Sequence, residues 1–313
     1  MPGHPDNRLP APPVPDHIHR VRNGEIELAV FEYGRPDGVP VVLVHGWPDT
    51  HHLWDGVIPL LAEHFRVFAY DTRGYGESSA PREVAAYRLD RLATDFFAVV
   101  EHVSPEEPVH VIAHDWGSVQ IWEAVCEPGA DEYVRSFTSI SGPNLDHLAR
   151  FLRTPLRQPS PRALWHTLAQ ALSSAYTAFF MLPWLPDLFF RLAGSPRVWK
   201  LFLRLVEGTR PEQVHVADTL RRDMISGLRF YRANIVPRLA GPRERTTTVP
   251  VQLVVSTRDI AVRPAGYAEY ARWTSDLVRH DLPRGHWLPF SDPAAIAGLA
   301  ETFIATHSTF SGK

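Results

Sequence analysis

Continuous apolar runs alternate with amphipathic stretches through about the first 140 residues of the chain. Polarity alternates around an Asn-Gly pair at residues 23–24, which predicts a β-hairpin, whereas VPVVLVHG, RVFAY and VHVIAH are apolar in the manner of buried strands. The stretches LWDGVIPLLAEHF and RLDRLATDFFAVVEHV have helical spacing. Strands that alternate with helices of this length predict a mostly parallel sheet with helices on both faces.

The alternation stops after YVRSFTSIS and resumes about a hundred residues later with VPVQLVVS. A helix near residues 264–272, the run LVRHDL and a helix near residues 293–305 complete the pattern, so we expect eight strands in all. The interruption predicts an inserted helical cap at residues 143–245, between the core segments 20–142 and 246–313.

The predicted cap differs in composition from the rest of the chain. It contains twelve aromatic residues, and its 16 basic and 7 acidic residues give it a net charge of +9, although the whole chain has a net charge of −3. We interpret this charge as a solvated, arginine-rich helix surface; a site for acidic ligands or membrane lipid is the less favoured alternative. Prolines and charges interrupt its most apolar part, residues 178–194, which favours a buried or interfacial helix over a membrane span.

Composition also leads to expectations about the location of the protein and about its partners. Residues 1–19 include six prolines in the first fifteen positions and lack the basic-then-apolar layout of a signal peptide, so we expect an extended tail. Cys126 is the single cysteine, which excludes an internal disulfide and favours a cytoplasmic location. Because 32 basic residues are balanced by 35 acidic ones, nucleic acid is not an expected partner.

A carboxylate stands where the run VHVIAH gives way to a helix. In VIAHDWGSVQIW the apolar run ends at Asp115, and Gly117 and a further apolar stretch follow. A sharp strand-to-helix turn at the carboxyl end of a parallel strand holds a nucleophile away from the backbone. Attack by a carboxylate on an acyl carbon gives an unstable anhydride, whereas attack on an sp³ carbon gives an ordinary ester. Asp115 therefore predicts an alkylating substrate.

Hydrolysis of that ester requires a base that activates water and an acid that orients the base. Asp259 lies just past VPVQLVVS and His286 follows the last strand, which gives the order nucleophile, acid, base. The backbone N–H groups of Trp47, in VHGWPDT, and of Trp116 are the candidate donors to the oxyanion. Pro48 makes the peptide bond that follows Trp47 a candidate for the cis form.

Together these residues resemble the α/β-hydrolase superfamily, and within it the epoxide hydrolases and haloalkane dehalogenases, which use an aspartate nucleophile. The resemblance extends from about residue 20 to near the end of the chain, on HGWP, DTRGYGES, HDWGS, Asp259 and His286. Ala113 departs from it, because the family often has glycine there. The resemblance implies an α/β-hydrolase fold with an eight-stranded sheet, helices on both faces and a helical cap.

The choice between the two branches depends on the leaving group. A halide leaves without a proton, whereas an epoxide oxygen becomes a strongly basic alkoxide and needs an acid. The only tyrosines of the cap, Tyr176 and Tyr231, lie in segments that look like those carrying the paired tyrosines of epoxide hydrolases. Trp47 stands where dehalogenases tend to have Asn or Glu. Trp116 and Ser118 stand where fluoroacetate dehalogenases are expected to have arginines.

The sequence thus predicts an epoxide hydrolase that converts a small apolar epoxide and water to a vicinal diol through an ester on Asp115. Asp259, His286, Tyr176 and Tyr231 are its other expected catalytic residues. Haloalkane dehalogenase is the main alternative, a serine-type esterase and a non-catalytic binding protein are the others, and a homodimer is left open.

Other polar residues of the motifs receive a structural interpretation. His45, Asp71 and Arg73 are expected to satisfy the hydrogen bonds of their own loops. No cofactor and no metal ion is expected, because the sequence contains no His-Glu-x-x-His and no phosphate-binding glycine-rich loop after a strand, and His51 and His52 have no second cluster at metal-ligand spacing.

Overall fold

The computed structural model of the protein describes residues 11–210 and 213–308. Within these residues eight strands form one sheet: β1 (His17–Asn23), β2 (Ile26–Gly34), β3 (Val39–Val44), β4 (Phe65–Tyr70), β5 (Val109–His114), β6 (Val134–Ile140), β7 (Val251–Ser256) and β8 (Leu277–Leu282). Their order is β1-β2-β4-β3-β5-β6-β7-β8, with antiparallel pairing of β1 with β2 and of β2 with β4, and parallel pairing elsewhere. The predicted mostly parallel, eight-stranded sheet is confirmed.

The sheet begins earlier than the sequence pattern predicts. Residues 17–19, assigned to the extended tail, are the first three of β1, in which His17 lies opposite Glu32 and His19 opposite Val30. Most of this edge strand is exposed, with Val21 its one buried residue, so apolar periodicity does not mark where it starts. Residues 1–10 of the predicted tail lie outside the described part of the chain.

Helices cover both faces of the sheet. Outside the cap region they are α1 (Ile58–Leu61), α2 (Leu89–Val103), α3 (Trp116–Val125), α11 (Leu288–Ser291) and α12 (Pro293–His307). Phe96 of α2 and Trp122 of α3 belong to one apolar core, whereas Leu61 of α1 and Ile296 of α12 belong to the other. A core on each face buries the central strands completely; every residue of β5 and β7 is inaccessible to solvent or nearly so.

The predicted helix near residues 264–272 is wrong. Two short 3₁₀ turns, Pro264–Tyr267 and Tyr270–Arg272, occupy this segment instead. Glycine at position 266 lowers helix propensity, and the burial of both Tyr267 and Tyr270 favours the packing of these two rings over a regular helix.

Helices also fill the region between β6 and β7. In the described residues they are α4 (Leu145–Leu152), α5 (Thr154–Arg157), α6 (Pro161–Ser173), α7 (Tyr176–Met181), α8 (Leu185–Ala193), α9 (Pro196–Glu207) and α10 (Leu220–Ala240). Ser195 caps the N-terminus of α9, where its hydroxyl accepts from the N–H of Val198, and Gly208 caps the C-terminus with a φ of 70°. Among the described helices, none has the length and apolarity to cross a membrane.

An ion network joins the base of this helical region to α3. The buried carboxylate of Glu123 in α3 accepts from Arg238 at 2.9 Å and from Arg243 at 2.7 Å. Asp146 in α4 accepts from the same two arginines, at 3.4 and 3.0 Å. Because Asp146 lies in α4, Arg238 in α10 and Glu123 in α3, the network joins the first and last described helices of this region to α3.

Candidate active site

Asp115 lies at a sharp turn between β5 and α3. It has a φ of 50° and a ψ of −125°, a conformation that costs free energy for a residue other than glycine. Its N–H donates to Ile140 O at 3.0 Å, so the neighbouring strand β6 supports the turn. A Cβ atom at Gly117 would lie 2.3 Å from Val44 O, which explains why glycine is needed there, whereas Ala113 is accommodated in the buried core.

Three polar side chains meet at the carboxyl ends of β5, β7 and β8. Asp259 follows β7 and His286 follows β8. His286 Nδ1 donates to Asp259 Oδ2 at 2.9 Å, and His286 Nε2 lies 3.4 Å from Asp115 Oδ2. The structure thus brings together the three residues that the sequence order suggests, with the imidazole between two carboxylates.

Charges in this buried group alter two of its pKa values. Burial opposes the protonated form of His286, but the carboxylates of Asp259 and Asp115 outweigh burial and hold the pKa of His286 well above its usual value. Burial also opposes the ionised form of Asp259. The adjacent imidazole and the N–H groups of Ala261 and Val262 outweigh it, so that the pKa of Asp259 is lowered. Asp259 is therefore a permanent anion behind the imidazole.

One of the two predicted oxyanion donors contacts the other oxygen of Asp115. Trp47 N–H donates to Asp115 Oδ1 at 2.8 Å, and the Trp47–Pro48 peptide bond is cis. A Cβ atom at Gly46 would lie 2.4 Å from Asp115 Oδ1 and 2.6 Å from Trp116 N. Gly46 therefore leaves free the space next to this oxygen and to Trp116 N. Trp116 N lies at the start of α3, and its N–H stays the second candidate donor.

Tyr176 of α7 and Tyr231 of α10 line the same cavity as Asp115 and His286. Their ring centroids are 6.1 Å apart. Burial, together with the charge of Asp115, raises the pKa of each hydroxyl above its usual value. Both side chains therefore stay protonated at neutral pH and can donate hydrogen bonds into the cavity.

The cavity between the helical region and the sheet edge has a volume of about 500 Å³. Its walls are mainly aromatic, and rings of Trp47, Phe180, Phe190, Trp199 and Trp287 form much of its surface. A volume of this size with a few convergent polar groups is typical of a small-molecule site. The walls suit an apolar ligand whose reactive part reaches Asp115.

Two further acids adjoin the site and are not evident from the sequence pattern. Burial raises the pKa of Asp49 to about 7, and its Oδ2 accepts from Trp287 Nε1 at 3.0 Å. Glu207, the last residue of α9, accepts from His286 N–H at 2.8 Å through Oε1. The position of Asp49 directly after HGWP could have drawn attention to it. No local signal marks Glu207, because its partner is 79 residues away.

The loop residues interpreted as structural make structural contacts, which join their loops to neighbouring segments of the chain. Thr72 N–H donates to His45 Nε2 at 3.0 Å, and Asp71 accepts from the N–H of His51 at 2.9 Å. Arg73 forms a buried ion pair with Asp95 at 2.6 Å. Among the described residues, no group of His, Cys, Asp or Glu is arranged to hold a metal ion.

Comparison with known proteins identifies the family of this fold. Residues 39–293 match the sequence profile of the family described as alpha/beta hydrolase fold, and the chain therefore belongs to the α/β-hydrolase family. Within it, the chain groups with proteins named epoxide hydrolases. It is 31% identical over 321 aligned positions to Epoxide hydrolase 4 of Homo sapiens, and the match covers 96% of this chain and 82% of the human protein.

A second relative has a different name. The chain is 44% identical to "Probable oxidoreductase EphD" of Mycobacterium tuberculosis over 284 residues, which cover 89% of this chain but 48% of that protein. The chain thus spans about half the length of this relative. Among solved structures, an epoxide hydrolase from metagenomes of hot environments superimposes with a TM-score of 0.73 at 24% identity, covering 93% of this chain and 99% of the other. At this identity the likeness supports the fold alone.

Proposed function

We propose that the protein is an epoxide hydrolase that converts an apolar epoxide to a vicinal diol through a covalent ester on Asp115. The observation that carries the proposal is the position of Asp115, which has the imidazole of His286 on one side and two tyrosine hydroxyls across the cavity. Relatives named epoxide hydrolases support the same reaction.

In the first step Asp115 attacks a ring carbon. Trp47 N–H holds Oδ1, so Oδ2 is the oxygen that forms the new C–O bond. The C–O bond of the ring breaks, and the ring oxygen takes a proton from Tyr176 or Tyr231. The resulting tyrosinate regains a proton from solvent. An alkoxide is a stronger base than a tyrosinate even when the tyrosine pKa is raised, so this proton transfer is favourable.

The second step uses a change of charge at Asp115. Alkylation converts the Asp115 carboxylate to a neutral ester, which removes one of the two anions that hold the pKa of His286 high. The imidazolium can then lose its proton and act as a base on water. His286 takes a proton from water, hydroxide adds to the carboxyl carbon, and the oxyanion forms beside the N–H groups of Trp47 and Trp116. Collapse breaks the ester C–O bond, and the leaving alkoxide takes the proton from His286, which releases the diol and restores Asp115.

Haloalkane dehalogenase, the main alternative, requires N–H donors for a halide. The indole of Trp47 already donates to Met224 O at 3.1 Å, and the ring of Trp116 packs edge-on against Tyr231, with 4.8 Å between the ring centroids. The geometry therefore favours an oxygen leaving group, which the tyrosines can protonate. Incubation with styrene oxide and separately with a bromoalkane should produce diol and no bromide.

Isotope labelling tests the ester directly. A single turnover in ¹⁸O-water should place the label in the carboxylate of Asp115 and leave the first diol unlabelled, because the diol oxygen comes from the enzyme. Peptide mass spectrometry locates the label. A labelled first diol would mean that water attacks the epoxide directly and would rule out the ester.

A further inference from the structure

Helices α8 and α9 expose apolar stripes that no other described part of the chain covers. On α8 the stripe comprises Leu185, Leu188, Phe189 and Leu192, spaced at i, i+3, i+4 and i+7 and between 40% and 78% exposed. On α9 it comprises Val198, Leu201 and Leu205, between 51% and 76% exposed. The inner sides of both helices are apolar as well, since Phe190, Trp199 and Leu203 are buried. Helices that are apolar on both sides usually have a partner on each.

The two stripes meet at the mouth of the cavity. Phe189 of α8 and Val198 of α9 both line the cavity, yet each is about half exposed, at 50% and 51%. Ile260, from the loop after β7, completes this rim and is 45% exposed. The path to Asp115 therefore opens within an apolar surface and not through a polar one.

Four of the six charged residues on the same two helices are basic. Arg191, Arg197, Lys200 and Arg204 have no carboxylate partner among residues 11–210 and 213–308. The two acids of these helices are engaged elsewhere: Asp187 pairs with Arg232 of α10 at 2.6 Å, and Glu207 accepts from the N–H of His286. The exposed charge of this surface is therefore cationic.

We propose that α8 and α9 dock the protein onto an anionic lipid surface, with the mouth of the cavity facing the acyl chains. Apolar side chains flanked by arginine and lysine are the chemistry with which interfacial helices bind such a surface. A second copy of this chain fits less well, because a two-fold contact through this face would bring its cations against their own copies. The docking proposal does not depend on the proposed reaction. Its extension, in which an epoxide-bearing lipid chain is delivered to Asp115, does rest on the proposed reaction.

Sedimentation with lipid vesicles tests the docking without any measurement of activity. The full chain should bind vesicles of phosphatidylcholine and phosphatidylglycerol and bind pure phosphatidylcholine more weakly. The double variant Leu192→Gln/Leu205→Gln should lose at least about tenfold in affinity for both. Arg197→Gln/Arg204→Gln should lose about fivefold per cation for the anionic vesicles alone. Leu156→Gln, which removes an 85% exposed leucine on α5, is the matched control and should bind like the unaltered protein.

Two further measurements distinguish a failure of docking from a failure of the proposed reaction. All four residues are exposed and none lines the cavity, so circular dichroism and turnover of a small soluble epoxide should be unchanged in both double variants. No binding to either vesicle, or equal binding by the leucine double variant, would overturn the proposal. So would a dimer in light scattering that this variant abolishes, since the face would then be a self-association surface. Absence of turnover with intact vesicle binding would instead count against the proposed reaction.

Discussion

The carboxyl edge of the sheet and the helical region between β6 and β7, which the sequence predicts as a cap, hold the proposed site residues in different ways. Asp115, Asp259 and His286 are between 2% and 9% exposed, and hydrogen bonds from backbone groups or from one another fix each of them. The cap tyrosines depend on ring packing: Tyr231 lies edge-on to Trp116 at 4.8 Å, and Tyr176, at 37% exposed, lies edge-on to Phe180.

This difference suggests that the two regions serve different steps of the proposed reaction. A nucleophile and its base must be placed to within fractions of an ångström, and the ends of buried strands provide that accuracy. A hydroxyl that donates to a leaving oxygen needs only to come within hydrogen-bonding distance of that oxygen. It can therefore belong to a less rigid helical region that also sets the shape of the cavity. Variants on the two sides should therefore fail at different steps of the reaction.

Removal of the nucleophile should have the largest effect. Asp115→Ala should lower diol formation by at least about 10⁴-fold, because no ester can form. The fold should remain, which thermal unfolding can check. Substantial residual activity in a folded variant would show that Asp115 does not carry the reaction, and residual ester hydrolysis would favour a serine-type esterase.

Removal of the base should stop the reaction after the ester on Asp115 has formed. His286→Gln should lower kcat by about 10²–10⁴-fold while alkylation of Asp115 continues. Intact-mass spectrometry should then show the protein increased in mass by one substrate molecule. The same measurement on Asp115→Ala is the control and should show no adduct. Loss of turnover without an adduct in His286→Gln would place the imidazole in the first step instead.

Removal of the cap hydroxyls should slow the first step and not the second. Tyr176→Phe and Tyr231→Phe should each lower the alkylation rate by about 10–100-fold, and the double variant should lose most of the activity. Rapid-quench kinetics should show no accumulated ester. Phe179→Leu alters a cavity wall without removing a hydroxyl and serves as the control. Equal losses for the control and the tyrosine variants would indicate a packing role.

The smallest effect is expected on stability, at the buried acid of the sheet edge. Folding raises the pKa of Asp49 to about 7, so the folded protein keeps a proton that the unfolded chain has already lost above about pH 4. Stability should therefore fall as pH rises from about 4 to 7. Asp49→Asn should raise the free energy of unfolding at pH 8 by about 1–3 kcal/mol, with a gain that shrinks towards pH 4. Urea titrations measure it, and a gain independent of pH would contradict this origin.

The sequence predicts the sheet-edge half of the site better than the rest. Asp115 and Asp259 each follow an apolar run and His286 follows the more polar strand LVRHDL; parallel strands bring such positions to one edge whatever their separation in sequence. The strand pattern therefore predicts that these three side chains lie close together. The same pattern does not reveal the start of β1 at residue 17, because an exposed edge strand lacks apolar periodicity.

The cap is harder to predict because its geometry arises from tertiary packing. Tyr176 and Tyr231 are suggested by resemblance and by being the only tyrosines of their region, not by spacing. The contact of Glu207 with His286 depends on how α9 sits over a distant loop. Similarly, the packing of two buried rings favours 3₁₀ turns over a regular helix at Pro264–Tyr267 and Tyr270–Arg272. Local helix propensity does not predict this packing.

The hydrogen bond between His286 N–H and Glu207 has a kinetic consequence. Glu207 terminates α9, so any opening motion that lifts this helix also withdraws the acceptor from the loop that carries the imidazole. If substrate entered by such a motion, admission and an organised base would alternate in time. A substrate that entered while the helix was raised would meet the full set of Asp115, Asp259 and His286 only after the helix had returned, which would make closure the step that commits each molecule to turnover.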